Sequence, residues 1–89
     1  MVDPDKLAVV LVVWADAHSD EGGWISTDLD SEGECLVASV GFLVTAEDGG
    51  KPKHVTLWQS LCDEEGIHRF HIPVDMVRTL KVLRQAKRD

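Results

Sequence analysis

The feature that most constrains the fold is an uninterrupted apolar segment near the N-terminus, Leu7 to Trp14 (LAVVLVVW). β-Branched residues favour strands, and the segment lacks the polar positions at every third or fourth residue that an amphipathic helix would show. We therefore predict that this segment is a β-strand buried on both faces.

Two further segments and the turns between them predict additional strands. Cys35 to Thr45 (CLVASVGFLVT) is the second, and its small central residues indicate a bend or a close backbone approach. A Gly-Gly pair and Pro52 follow, which is typical of a turn. His54 to Leu61 alternates apolar and polar residues, and a turn at residues 63–66 leads into Ile67 to Ile72.

The C-terminal segment allows two interpretations. Pro73 suits a first helical position, and a helix through Leu83 would have an apolar stripe. Alternatively, Pro73 to Met76 is one 3₁₀ turn and Val77 to Leu83 is a last strand. We favour the strand because an SH3-like barrel commonly ends in this way. Residues 84–89 are predicted to be a frayed tail.

Together these segments predict a single domain over residues 1–89, with its core between residues 7 and 83. A chain this short buries only about 60 to 65% of its unfolded surface, which leaves no room for a second domain. The predicted fold class is all-β: a small, SH3-like, strongly bent, partly open five-stranded barrel with a short 3₁₀ or helical turn near the C-terminus. Ala15 to Glu34 would form a long loop, with a short edge strand at Trp24 to Thr27.

The net charge of −7 is unevenly distributed along the chain. Residues 1–65 contain 14 acidic and 3 basic residues, whereas residues 66–89 contain 2 acidic and 6 basic residues. Nonspecific nucleic-acid binding depends on Lys and Arg and is disfavoured by this net charge. An anionic ligand is therefore expected near the C-terminal quarter of the chain.

The apolar run and the two cysteines predict a cytoplasmic protein. The run from Leu7 to Ala15 is less than half the length of a membrane-spanning helix, and acidic residues precede it where a signal peptide would be basic. Cys35 and Cys62 are not closely spaced, and we expect reduced thiols in this compartment.

Four segments of the chain form an ordered pattern over about residues 9 to 83: VxWxDAHS with a following Gly-Trp, SVGFLV, VTLWQSL and IPxxxVxxLxxL. This pattern resembles a group of small proteins encoded in bacteriophage genomes. The turn EDGGKPK is longer here than in that pattern. The resemblance implies a phage accessory protein of the host cytoplasm and supplies no catalytic residues.

The sequence indicates neither a metal site nor a catalytic site. Asp16 and His18 are too few for a closed zinc site, and His68 and His71 would point to opposite faces of a strand unless the chain bends. The segment DLDSEGE lacks the glycine and the glutamate of a calcium-binding loop. No nucleophile elbow or phosphate-binding glycine loop is found. We expect no enzymatic activity, no metal and no cofactor.

Aromatic and basic side chains remain as candidates for a binding site. Trp58 falls on the polar face of its strand, and aromatic rings suit base stacking or interfaces. For Trp14 a place in the core, and for Trp24 a place over the barrel end, are open alternatives. The candidate ligand-binding residues are Trp14, Asp16, His18, Trp24, Trp58, Ser60, Arg69, His71 and Arg78.

The leading functional hypothesis is a non-enzymatic phage counter-defence protein, a homo-oligomer that sequesters a small nucleotide-like immune signal between subunits. Trp58 or Trp24 would stack on a base, Arg69 and Arg78 would neutralise phosphate, and Asp16 would accept hydrogen bonds. A second hypothesis is an acidic nucleic-acid mimic that binds a host defence protein through the seven acids of residues 16–34. A structural or regulatory phage protein without a ligand is the third.

Overall fold

One antiparallel sheet organises residues 3–16 and 35–87, the part of the chain that the computed structural model describes. Its strands lie side by side in the order β4-β3-β2-β1-β5. Helical structure in the described residues is limited to the 3₁₀ turns Pro4–Lys6, Ala46–Asp48 and Val74–Met76. The strands are β1 (Val9–Asp16), β2 (Cys35–Val44), β3 (His54–Cys62), β4 (Glu65–Pro73) and β5 (Val77–Arg84).

This arrangement confirms the predicted fold class: the protein is an all-β, SH3-like, partly open five-stranded barrel. The C-terminal segment is a 3₁₀ turn followed by a strand, as favoured, and not a helix. The reason is the ladder with β1, which runs from the Val9–Arg84 pair to the Trp14–Val77 pair. This pairing satisfies the backbone of β5 and outweighs the local tendency to form a helix.

The core lies on one face of β1. Val10, Val12 and Trp14 are buried and pack with Leu57 of β3 and Ile72 of β4. The alternate side chains of β1, at residues 9, 11 and 13, are only half-buried. The prediction that this strand is buried on both faces is therefore wrong for the single chain, because the described elements form one sheet whose inner face alone is covered.

β2 bends and is shared between two neighbours. It pairs with β1 from Cys35 to Phe42, but with β3 only from Phe42 to Val44. Gly41 lies at the change of partner, where an added Cβ would be 2.9 Å from the carbonyl oxygen of Trp58. The close backbone approach predicted from the small residues of this strand is confirmed.

The barrel is open along its edge strands, β4 and β5. Val82 pairs with Val10 and Leu80 pairs with Val12, so both side chains point inward with the core. They remain 41% and 42% exposed, respectively, and Phe70 of β4 is 46% exposed. No ladder between β4 and β5 is found among the described residues, and nothing in them covers these inward-pointing side chains.

The C-terminal residues are attached to the N-terminal turn, which corrects the prediction of a frayed tail from residue 84. Arg84 is the last residue of β5, and its Nη2 donates hydrogen bonds to the carbonyl oxygens of Pro4 (2.6 Å) and Leu7 (3.1 Å). The backbone N–H of Lys87 donates to the carbonyl oxygen of Asp5 at 2.7 Å. The two ends of the described chain are thus held together.

Three predictions concern the state of the two cysteines, the lack of a membrane-spanning segment and a short edge strand in the loop after β1. Cys35 and Cys62 are both free thiols. No helix in residues 3–16 or 35–87 has the length and apolar character needed to cross a bilayer. The edge strand expected at Trp24 to Thr27 lies outside the described residues.

Candidate functional site

A cleft opens where β2 separates from β3. Residues 35–41 of β2 have ladder partners on β1 only, and β3 beyond Trp58 pairs only with β4. The cleft has a volume of about 520 Å³, which is within the usual range for small-molecule sites. Its lining consists of Ala38, Ser39, Val40, Leu57, Gln59, His68, Arg69 and Phe70.

An irregularity in β4 shapes one wall of the cleft. His68 has a φ of 58°, in the left-handed region, which is uncommon for a residue with a side chain. The pair of Gln59 with His68 is missing from the β3–β4 ladder, although Trp58–Arg69 and Ser60–Ile67 on either side keep one register. His68 and its neighbours Arg69 and Phe70 all line the cleft.

Arg69 is positioned by a tryptophan ring. Its guanidinium carbon lies 5.2 Å from the ring centroid of Trp58, the residue opposite it on β3. Cation–π contacts of this kind contribute about 0.5–1 kcal/mol at exposed sites. Gly66 supports the ring from below, since an added Cβ there would be 2.6 Å from ring atoms of Trp58. The guanidinium is therefore held at the cleft by a half-buried aromatic platform.

The electrostatics of the cleft favour an anion. Its eight lining residues include the permanent cation Arg69 and the imidazole of His68, and none of them is acidic. Phe70 gives the cleft an apolar wall and packs edge-on against Trp14, with ring centroids 5.5 Å apart. Gln59 and Ser39 add neutral hydrogen-bonding groups. A positive group, an aromatic wall and neutral polar groups together suit an anionic ligand with a planar ring.

His71 belongs to a second polar cluster on the same hairpin. Its Nδ1 lies 2.8 Å from the hydroxyl oxygen of Thr56, which also accepts a hydrogen bond from the backbone N–H of Lys51 at 3.1 Å. Burial of the imidazole lowers the pKa of His71 below its usual value, and the positive charges of Arg69, Lys51 and His54 lower it further. This histidine is therefore held neutral next to the cation of the cleft.

The β3–β4 hairpin brings together four of the residues proposed from the sequence. Trp58 and Arg69 are in contact, and His71 lies two positions along β4 from Arg69. Ser60 is exposed on β3 opposite Ile67 and does not line the cleft. Arg69 is the only one of the four in the cleft lining, and Trp58 supports it from the side.

The other proposed residues lie elsewhere. Trp14 is 8% exposed, and its indole N–H donates to the Ser39 hydroxyl at 3.1 Å. It is a core residue, so its place among the ligand-binding candidates is corrected. Asp16 is exposed at the end of β1, and Arg78 is on β5, at the edge of the sheet opposite to Arg69. His18 and Trp24 lie outside the described residues.

Sequence reasoning missed seven of the eight residues that line the cleft, among them the polar or aromatic Ser39, Gln59, His68 and Phe70. Ser39 and Gln59 face the cleft because β2 and β3 diverge after Gly41 and Trp58. The small residues of β2 were a signal of that divergence. The left-handed backbone of His68 has no comparable signal in the sequence, because glycine or asparagine would be the usual residue for such a conformation.

Comparison of the chain with family models, with curated proteins and with solved structures found no match in any of the three. Among the described residues, no group of three or more His, Cys, Asp or Glu side chains is arranged to hold a metal ion.

Proposed function

We propose that the protein is a non-enzymatic binding protein that holds a small anionic, nucleotide-like molecule in the cleft between β2 and the β3–β4 hairpin. The observation that carries this proposal is the position of Arg69. Its guanidinium lies over Trp58 at 5.2 Å and also lines a cleft of about 520 Å³ that has no acidic residue in its lining.

Each class of cleft residue suits a part of such a ligand. Arg69 offers paired N–H donors to a phosphate, and charge-assisted hydrogen bonds of this type are stronger than neutral ones. Phe70 offers its ring to a base. Gln59 offers both a donor and an acceptor to the edge of a base or to a ribose hydroxyl. In this proposal Trp58 positions the arginine, whereas the sequence alone suggested that it stacks on the base.

The resemblance of the sequence to phage-encoded proteins supports a role of this binding in counter-defence. A virus gains from a protein that removes a nucleotide signal by holding it, because sequestration needs binding residues only and no catalytic group. We accordingly propose sequestration of a nucleotide-like immune signal in the host cytoplasm. The cleft is lined by residues of one chain, whereas a site between subunits was expected from the sequence.

Isothermal titration with a panel of cyclic and ADP-ribose-derived nucleotides tests the proposal. We expect Arg69→Gln to weaken binding of the nucleotide that binds best by about 10- to 100-fold, because a charge-assisted hydrogen bond contributes about 1.5–3 kcal/mol. Lys81→Gln is the matched control: it removes the same charge from β5, outside the cleft, and should bind as the parent does. If no nucleotide binds at about 100 μM, or if Arg69→Gln binds normally, the proposal is wrong.

An acidic mimic that binds a host protein is the second candidate, favoured by the seven acids of residues 16–34. The two candidates respond differently to reversal of Asp28, Asp30 and Glu32 to lysine. Under the mimic hypothesis this change abolishes a salt-sensitive interaction with a host protein. Under the sequestration hypothesis nucleotide binding remains.

A further inference from the structure

The outer face of β1 and β2 is apolar along four consecutive cross-strand pairs. Each of these pairs, called a row below, consists of one residue of β1 and the residue opposite it on β2. Successive rows are two residues apart along each strand. The eight side chains include no charged and no hydrogen-bonding group. The rows are Val9–Phe42, Leu11–Val40, Val13–Ala38 and Ala15–Leu36.

In the part of the chain that the structure describes, this outer face is exposed or half-buried except at Ala15, which is 7% exposed. Leu36 is 57% exposed and Val40 is 54% exposed, and residues 9, 11 and 13 are half-buried. An antiparallel sheet with one open face normally alternates apolar residues toward the core with polar residues toward water. Here β1 is apolar toward both sides. A contiguous apolar face of this kind is typical of an interaction surface.

We propose that this outer face is where two copies of the chain meet. The net charge of −7 opposes association of identical chains, and a two-fold contact places each residue near its own equivalent or that of a neighbour. A face that meets itself must therefore be uncharged at its centre. The eight residues of the four rows satisfy this condition, whereas the other long edges of the molecule, β4 and β5, contain basic residues that would repel each other.

The geometry of the strands suits a face-to-face pair of sheets. Four rows extend over about 20 Å along the strands, and two sheets pack about 10 Å apart through side chains of this size. Lys81 pairs with Leu11 and lies at the flank of the face, where its ammonium can reach solvent. The strongly exposed Val40 would supply interlocking contacts near the centre of the face, and Leu36, in the last row, would supply them at one end.

The proposed interface also borders the cleft. Ala38 and Val40 belong both to the apolar rows and to the cleft lining. In addition, Phe42 of the first row also pairs with Trp58 on β3, and Trp58 pairs with Arg69 on β4. A second copy seated on the outer face would therefore stand at the mouth of the cleft. The association itself does not depend on a ligand, and its test needs none.

Sedimentation velocity of the full chain without nucleotide, at concentrations from about 1 to 200 μM, tests the proposal. We expect a dimer that dissociates on dilution. Val40→Glu should weaken it by at least about 100-fold, because each chain would then bury a charge beside the same charge of its partner. Gln85→Glu, which adds the same charge on an exposed residue after β5, should dimerise as the parent does.

Two further variants keep the test decisive. If circular dichroism shows that Val40→Glu does not fold, Val40→Ser, which keeps a small side chain, should still weaken the dimer by about 10-fold. Arg69→Gln should dimerise normally, so a failed nucleotide assay and a failed interface are distinguishable. A chain that is monomeric at about 200 μM, or a folded Val40→Glu variant that dimerises as the parent does, overturns the proposal.

Discussion

At the scale of single residues, the cleft depends on a few side chains whose partners are fixed by the hairpin. Trp58 makes a cation–π contact with Arg69. The hydroxyl groups of Thr56 and Ser39 make hydrogen bonds with the imidazole of His71 and the indole of Trp14, respectively. Thr56 is 1% exposed, and its hydroxyl is satisfied by Lys51 and His71. A buried hydroxyl without a partner would cost stability, so this pairing restricts the orientation of the imidazole.

His71 makes a pH-dependent contribution to stability. Its pKa is lowered in the folded protein by burial and by neighbouring positive charges, so the unfolded chain takes up a proton at higher pH than the folded one. Stability is therefore full above the unfolded pKa of about 6.5 and is lost as the pH falls through the folded pKa.

We expect urea denaturation at pH 7.5 to give a higher free energy of unfolding than at pH 5, with part of the difference removed by His71→Gln. His68→Gln, on the same strand, is the control for loss of a histidine. An identical pH dependence in His71→Gln and the parent would contradict this assignment.

At the scale of elements, the bend of β2 decides the shape of the site. A straight β2 paired along its whole length with β3 would leave no cleft. The close contact at Gly41 keeps the two strands together at one end, and the separation beyond it opens the space that Arg69 and Phe70 line. The small residue is needed because a backbone carbonyl and the Cβ of Leu57 occupy the space where its side chain would be.

Gly41→Ala tests the bend. The added Cβ would be 2.9 Å from the Trp58 carbonyl oxygen and 3.1 Å from the Cβ of Leu57, and neither atom can move without displacing β3. We expect a loss of about 1–3 kcal/mol in the free energy of unfolding, which is typical of overpacking. Ser60→Val enlarges an exposed residue of β3, outside the cleft and the proposed interface, and should change the free energy of unfolding by less than about 0.5 kcal/mol. Equal effects of the two substitutions would show that the contact is not restrictive.

Across the molecule, hydrogen bonds join the two ends of the described chain, while the barrel itself remains open between β4 and β5. Arg84 joins the end of β5 to Pro4 and Leu7, and the N–H of Lys87 reaches Asp5. The Asp5 carboxylate is also 3.7 Å from Arg84, but both side chains are well exposed, so that ion pair contributes little. The two carbonyl contacts are the main attachment.

Arg84→Ala should release this attachment. We expect a loss of about 1 kcal/mol in the free energy of unfolding, since two hydrogen bonds from a charged but exposed group are removed. Hydrogen exchange at the amide of Lys87 should become faster at the same time. Lys81→Gln, a charge loss on the same strand without such contacts, is the comparison. Unchanged exchange at Lys87 would mean that the contact with Asp5 holds the end of the chain by itself.

The described strands, the turns between them and the fold class were predictable from the amino-acid sequence alone. Valine-rich segments, glycine turns and alternating polarity are local signals, and β-branched residues favour strands wherever these residues lie. The strand after Val74–Met76 was predictable for the same reason. The attachment of Arg84 and Lys87 to the N-terminal turn was not. The basic character of the C-terminal quarter was also visible, and it led to Arg69.

Which of the proposed residues meet depends on contacts that form only in the folded chain. Trp14 turned into the core because the register of β1 with β2 placed it opposite Val37 and within reach of Ser39. The cleft arose from the divergence of β2 and β3 and from the left-handed backbone at His68, which depend on contacts between distant residues. Local preferences cannot specify such contacts, because the free energy of packing is shared among segments that are far apart in the chain.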